Sequence, residues 1–165
     1  MITGTITKSD HLYAMRFHGA RWTRWCYIAC GVAIVIGLLL YVSNALDLGL
    51  VIASAAGAGA VSQYLVAILY IPWQVSRAHK QRKEFNTPLT YSWDANSLEV
   101  QSAAGTWKRE WTNYIKYKED DRLFLLYLSD NLFEMVPKSW FRDQEQIAEF
   151  RELAVHVGKK QSSDL

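Results

Sequence analysis

Four histidines, His11, His18, His79 and His156, are the first side chains in this 165-residue chain that could bind a metal or carry a proton. They are scattered. His11 and His18 can lie on nearby faces of one helix, but no carboxylate or cysteine joins them at ligand spacing, and a structural zinc needs four ligands. Cys26 and Cys30 are four apart, on one face of a helix, inside an apolar run. They read as small apolar residues, and two cysteines are too few for a disulfide framework. The serines lack a nucleophile elbow and there is no glycine-rich phosphate loop. Glu119, Asp120 and Asp121 form a run of carboxylates that reads as a solvated turn. The expectation is a protein that is not an enzyme and needs no cofactor or metal.

The basic residues are the remaining candidates. Arg77, Lys80, Arg82 and Lys83 form one group, and Lys108, Arg109 and Lys138 are more widely spaced. The first group has a plain use in setting membrane topology and attracting anionic lipid, worth about 1 kcal/mol per basic residue near the surface. Its sharper use is a lipid-headgroup or partner site shared with Lys108, Arg109 and Lys138. A net charge of +2 is too small to imply a nucleic-acid partner.

Two apolar runs separate these candidates. Between Arg24 and Asp47 lies WCYIACGVAIVIGLLLYVSNAL without a charge, and Leu48 to Ser76 is again uncharged. Each reaches the roughly 20 residues a helix needs to cross a bilayer. The short connection around Asn44–Gly49 predicts an antiparallel hairpin over residues 25–76. Arg16, Arg21 and Arg24 precede it, Arg77, Lys80, Arg82 and Lys83 follow it, and the turn holds only Asp47. The positive-inside rule then puts both termini in the cytoplasm, with Trp22, Trp25 and Trp73 at the interfaces. No ionisable group lies within either span, which argues against an ion or proton pathway. Ala33 and Gly37, Ala53 and Gly57, Ala55 and Gly59, and Ala56 and Ala60 are small pairs four apart that let helix backbones approach. Their plain use is packing within the hairpin; homodimerisation is the second use, and both stand at this point.

Beyond QVSRAHKQRKEF the pattern changes to period two. PLTYSWD, LEVQS, TWKREW, NYIKYK, RLFLLYLS and LFEMV predict six short strands, with DANS, AAG, EDD and Asp130-Asn131 as turns. RLFLLYLS is apolar on both faces and is expected to be the most buried. Pro137 cannot donate to a ladder, so Phe133–Val136 should be the last strand. Lys138-Ser139 then turns the chain and Trp140 and Phe141 cover the sheet end. Asp143 caps a final helix, with Gln146 as its capping-box partner. Ile147, Phe150, Leu153, Ala154 and Val157 form its apolar stripe, Gly158 stops it, and residues 159–165 are a tail. At the other end, ITGTIT is a seventh candidate strand before a helix beginning near Ser9. Residues 1–24 are thus expected to join residues 86–158 as one cytoplasmic domain. The fold class is an α+β membrane protein: a two-helix transmembrane hairpin with a pleckstrin-homology-like antiparallel sheet closed by a C-terminal helix.

The step from Trp111 to Ile115, the FLLYLS strand, and VPKSWF followed by the helix carrying Phe150 together resemble the YcxB-like family of bacterial membrane proteins. The resemblance covers most of the chain. It implies a cytoplasmic domain similar to bacterial pleckstrin-homology modules in a multi-pass protein of the inner membrane, and it implies no activity. Two functions follow as expectations. One is a non-enzymatic inner-membrane protein whose cytoplasmic domain docks a protein partner or the membrane surface. The other is an immunity-type protein neutralising a toxin that acts at or near the membrane. Membrane lipids, an unknown protein partner and a second copy of the chain are the expected partners, and nucleic acid is not.

Overall fold

The computed structural model describes residues 1–43, 46–81 and 87–159. The chain is α+β and divides into two compact units: Met1–Ala14 with Ala78–Leu165, and Met15–Arg77.

The first unit is built from two antiparallel sheets. Strand β1 (Ile2–Gly4) pairs with β2 (Leu89–Trp93), which pairs with β3 (Ser97–Ser102), which pairs with β4 (Gly105–Glu110). The second sheet is β5 (Lys116–Glu119), β6 (Leu123–Tyr127) and β7 (Phe133–Pro137), in that order. The turns form where short polar side chains can replace a backbone partner. Asp94 accepts the Asn96 and Ser97 N–H groups at 2.7 Å each between β2 and β3. Asp120 accepts those of Arg122 and Leu123 at 2.9 and 3.0 Å between β5 and β6. Gly105 opens β4 at φ 145°, a conformation that favours glycine. All five residues of β6 are buried, as its two apolar faces predict.

Three local expectations change. Trp111 does not continue β4; it lies buried in a 3-10 turn (Trp111–Asn113), its Nε1 donating to the Asp94 carbonyl at 3.0 Å. Pro137 does not stop the last strand. It sits opposite Leu123, and pairing continues one residue further through Lys138 N–H to the Arg122 carbonyl at 2.8 Å. Proline is tolerated there because Leu123 and Pro137 form a pair that exchanges no ladder bonds. The final helix does not end at Gly158 but runs through Lys159.

Helix α1 (Lys8–Val42) is continuous for 35 residues. Its start is fixed one residue before the expected Ser9 by a capping box. The Thr7 hydroxyl accepts the Asp10 N–H at 3.1 Å and the Asp10 carboxylate accepts the Thr7 N–H at 3.1 Å. Helix α2 (Leu46–Leu65) passes through a π-helical turn (Val66–Tyr70) into α3 (Ile71–Gln81). The cause of that turn is Pro72, which has no N–H and whose ring would clash with the carbonyl four residues back. Ile71 N–H donates to the Val66 carbonyl, five residues back. The next donor in that register would be residue 72, and the Ala67 carbonyl it would serve instead faces the Arg16 guanidinium at 3.5 Å. Helix α4 (Gln144–Lys159) is capped by Asp143, whose Oδ1 accepts the Gln146 N–H at 2.8 Å. The Gln146 side chain reaches Arg142 N–H at 3.0 Å, one residue short of a regular capping box.

Both long helices, Lys8–Val42 and Asp47–Gln81, are long and apolar enough to span a membrane. In the second unit they run antiparallel. Going backwards along α1 from Gly37 to Cys30 meets Gly49 and Ala53 and then Gly59 on α2. A Cβ on Gly37 would stand 2.8 Å from the Gly49 carbonyl, and one on Gly49 would stand 2.6 Å from the Gly37 carbonyl, so only glycine permits this crossing.

The core of the first unit is aromatic. Phe150 on α4 is fully buried, with ring centroids 5.1 Å from Trp93, 5.1 Å from Phe124, 5.4 Å from Phe141 and 5.6 Å from Trp111. These separations favour tilted and edge-on aromatic pairing. Ile147 and Ala154 are also buried, and Val157 belongs to the part of α4 whose side chains lie outside the description.

Candidate functional site

Glu119 closes β5, and the turn after it carries Asp120 and Asp121. Lys138 begins the 3-10 turn that follows β7 (Lys138–Trp140), and Arg151 stands on α4. The three elements bring two cations onto one carboxylate. Lys138 Nζ donates to Glu119 Oε1 at 2.6 Å, Arg151 Nη2 donates to the same oxygen at 2.7 Å, and Arg151 Nε reaches both oxygens at 2.9 Å. Lys138 also sits 4.9 Å above the Phe124 ring. Burial alone would push the Glu119 carboxyl up, but the hydrogen bonds from Arg151 and Lys138 outweigh it and leave the group below the ordinary carboxylate range. Around this triad lies a polar groove of about 610 Å³ lined by Tyr117, Lys118, Asp120, Asp121 and the triad itself. Its charges are mixed, so it offers hydrogen bonds of both senses rather than a field of one sign.

The structure gives Lys108, Arg109 and Lys138 three separate carboxylates. Lys108 and Arg109 are neighbours on β4 and point to opposite faces of its sheet. Lys108 pairs with Asp94 at 3.2 Å on the surface. The Asn96 N–H, the Ser97 hydroxyl and Lys108 together hold the Asp94 carboxyl down to about 2. Arg109 pairs with Glu134 on β7 at 3.5 Å, and Glu134 also accepts the Tyr114 hydroxyl at 2.5 Å. That arrangement ties the two sheets together, which gives Arg109 an internal structural contact. Arg77 and Lys80 lie exposed on α3; Arg82 and Lys83 fall outside the described residues. Arg77 rests on the Trp73 ring at 5.4 Å.

The small pairs separate by face. Gly37 and Ala53 meet at the helix crossing, joined by Gly49, which the sequence suggested only as part of the turn. Gly59 faces Cys30, a Cβ there lying 3.6 Å from the sulfur. A Cβ on Gly57 would meet nothing within 4 Å, and Ala55 is exposed, so these two point away from α1, while Ala33 is half-buried on α1. Both cysteines are free.

His11 and His18 share helix α1, and His11 also meets His79. The Nδ1 atoms of His11 and His79 are 3.4 Å apart, and His79 is buried. Sixty-eight residues separate them, so no local spacing could signal the pair. Among the described residues, no group of three or more His, Cys, Asp or Glu side chains could hold a metal ion.

No curated protein and no solved structure matches the chain. Residues 93–154 run from the end of β2 to the buried Ala154 of α4 and include the Glu119 triad. They match the family model described as YcxB-like protein, and the chain therefore carries a YcxB-like domain.

Proposed function

We propose that this is a non-enzymatic, membrane-anchored interaction module of a bacterial inner membrane, whose cytoplasmic YcxB-like domain docks a protein partner. The observation that carries the anchor is the placement of exposed apolar surface. Among the described residues, apart from Met1 and Leu132, every large apolar side chain left exposed lies in the stretch from Trp22 through Trp73. Contiguous apolar surface of that extent belongs in a bilayer or an interface. Basic residues Arg16, Arg21, Arg24, Arg77 and Lys80 flank the hairpin, which supports two passes with both termini in the cytoplasm. Four strands, three strands and a C-terminal helix in sequence order support a pleckstrin-homology-like layout for the first unit.

Docking is assigned to the mixed-charge groove at Glu119, Lys138 and Arg151. A groove with both donors and acceptors suits a polar protein segment better than the anionic surface of a membrane. In this reading Lys108 and Arg109, whose carboxylate partners Asp94 and Glu134 do not line the groove, serve the domain's own structure.

The test has two readouts on the full chain expressed in bacteria. Alkaline carbonate should leave the protein in the membrane pellet; its appearance in the supernatant overturns the anchor. A photo-crosslinking residue at Asp121, beside the groove, should give one discrete protein adduct that the same probe at Ala103 does not. Adducts from neither site, or equal adducts from both, overturn the docking assignment. A toxin as the captured partner would specify the module as an immunity protein.

A further inference from the structure

The π-helical turn opens a groove on the hairpin surface. Ser62, Leu65, Val66, Leu69, Tyr70 and Trp73 line a space of about 500 Å³ that is mostly apolar. Three of the six, Val66, Leu69 and Tyr70, belong to the π turn forced by Pro72. Such turns often coincide with functional sites.

The groove has a direction. Its lining advances from Ser62 through Leu65, Leu69 and Trp73 in steps of three and four, one helix face, and Arg77 is the next step of four. From Ser62 to Trp73 the helix rises by about 16 Å. That is close to half of the roughly 30 Å hydrocarbon core, the depth of one leaflet. At the end near the basic flank, the rings of Tyr70 and Trp73 stand 6.0 Å apart, the aromatic pair expected at a headgroup boundary. There Arg77 is exposed, held 5.4 Å from the Trp73 ring. Among the described residues no carboxylate pairs with Arg77. An open apolar groove that runs the length of one leaflet, with a cation lacking a carboxylate partner beside its Trp73 end, is complementary to one molecule class.

We propose that the groove binds a single anionic phospholipid. One acyl chain lies along Ser62, Leu65, Val66 and Leu69, and Arg77 takes the phosphate beside Tyr70 and Trp73. This rests on the reading that the hairpin lies in a membrane. It goes beyond it by separating one retained lipid from the annular lipid that any span would contact.

The experiment uses the full chain, purified in mild detergent after incubation with an equimolar mixture of phosphatidylglycerol and phosphatidylethanolamine, with retained lipid counted by native mass spectrometry. The parent should hold one lipid and favour phosphatidylglycerol by roughly fivefold, the effect of one basic side chain near a headgroup. Arg77→Ala should lose the preference but keep a lipid, and Leu69→Trp, which fills the groove, should lose retention of both. A parent without preference, or two variants that behave as the parent, overturns the proposal. Recovery of the chain from the membrane pellet alongside such a result would leave the anchor reading intact; recovery in the supernatant overturns both.

Discussion

Glu119 and Lys138 form a half-buried ion pair at 2.6 Å, with side-chain exposures of only 18% and 15%. Two cations on one carboxylate make Glu119 the keystone of the turn, because its removal leaves Lys138 shielded from water and without a counter-charge. Glu119→Gln should cost about 1–3 kcal/mol of stability at pH 7, measured by denaturation followed through tryptophan fluorescence. Arg151, 42% exposed, should contribute less than Lys138. The pH dependence has a fixed sign. The folded carboxyl lies below its ordinary value, so the unfolded chain binds the proton more tightly. The stabilisation is complete above the unfolded value of about 4.3 and disappears as pH falls through the folded one. Glu119→Gln should flatten that acid limb, and an unchanged slope would contradict the argument.

Arg16 and Pro72 should be coupled. Pro72 removes the N–H that would serve the Ala67 carbonyl in the π register, and Arg16 supplies a donor at 3.5 Å. Pro72→Ala restores a backbone donor, so Arg16→Gln should cost less in that background than in the parent. A double-mutant cycle of unfolding in mixed micelles should give an interaction energy of at least ~0.5 kcal/mol. Additive costs would show that Arg16 does not cap the turn.

The glycines of the hairpin make opposite predictions. Cβ atoms on Gly37 and Gly49 would stand within 3 Å of the facing backbone, whereas one on Gly57 would meet nothing within 4 Å. Gly37→Ala and Gly49→Ala should each destabilise the hairpin by about 1–3 kcal/mol through forced separation of the helices. Gly57→Ala should stay within roughly 0.5 kcal/mol or gain slightly. Equal sensitivity at Gly57 would mean that a second surface, such as another copy of the chain, covers that face.

These cases show how far residue pattern reaches. Period-two alternation located β2 and β3, and a continuous apolar run located β6, because their buried residues, Leu89 and Tyr91, Leu98 and Val100, and the whole of LFLLY, carry the signal in their own side chains. The capping role of Asp143 was legible for the same reason, since its hydrogen-bond partner is three residues away. What stayed hidden depended on distant partners. Arg109 looks like a surface cation until β7 brings Glu134 to it. Lys138 looks exposed at its corner until β5 and α4 enclose it with Glu119 and Arg151. Pro72 was visible in the sequence, but the π turn is only one of several ways a helix absorbs a proline.

Gly4 and Trp140 supply the last test. The Trp140 indole of the VPKSWF stretch lies flush against β1, occupying the space where a Cβ on Gly4 would stand. The Trp140 ring also packs 5.9 Å from that of Tyr91, which limits its freedom to move aside. Because β1 is only three residues long and its one strand neighbour in the sheet is β2, an intrusion there should release the strand rather than strain the whole domain. Gly4→Val should therefore destabilise the first unit by about 1–3 kcal/mol and raise amide exchange at Ile2–Gly4 and its partners Leu89–Tyr91 above that of β6. In the Trp140→Ala background, where the indole is gone, the same Gly4→Val change should be close to neutral, since valine favours strands. An equal cost in both backgrounds would place the strain elsewhere and remove Trp140 as the reason that position 4 is glycine.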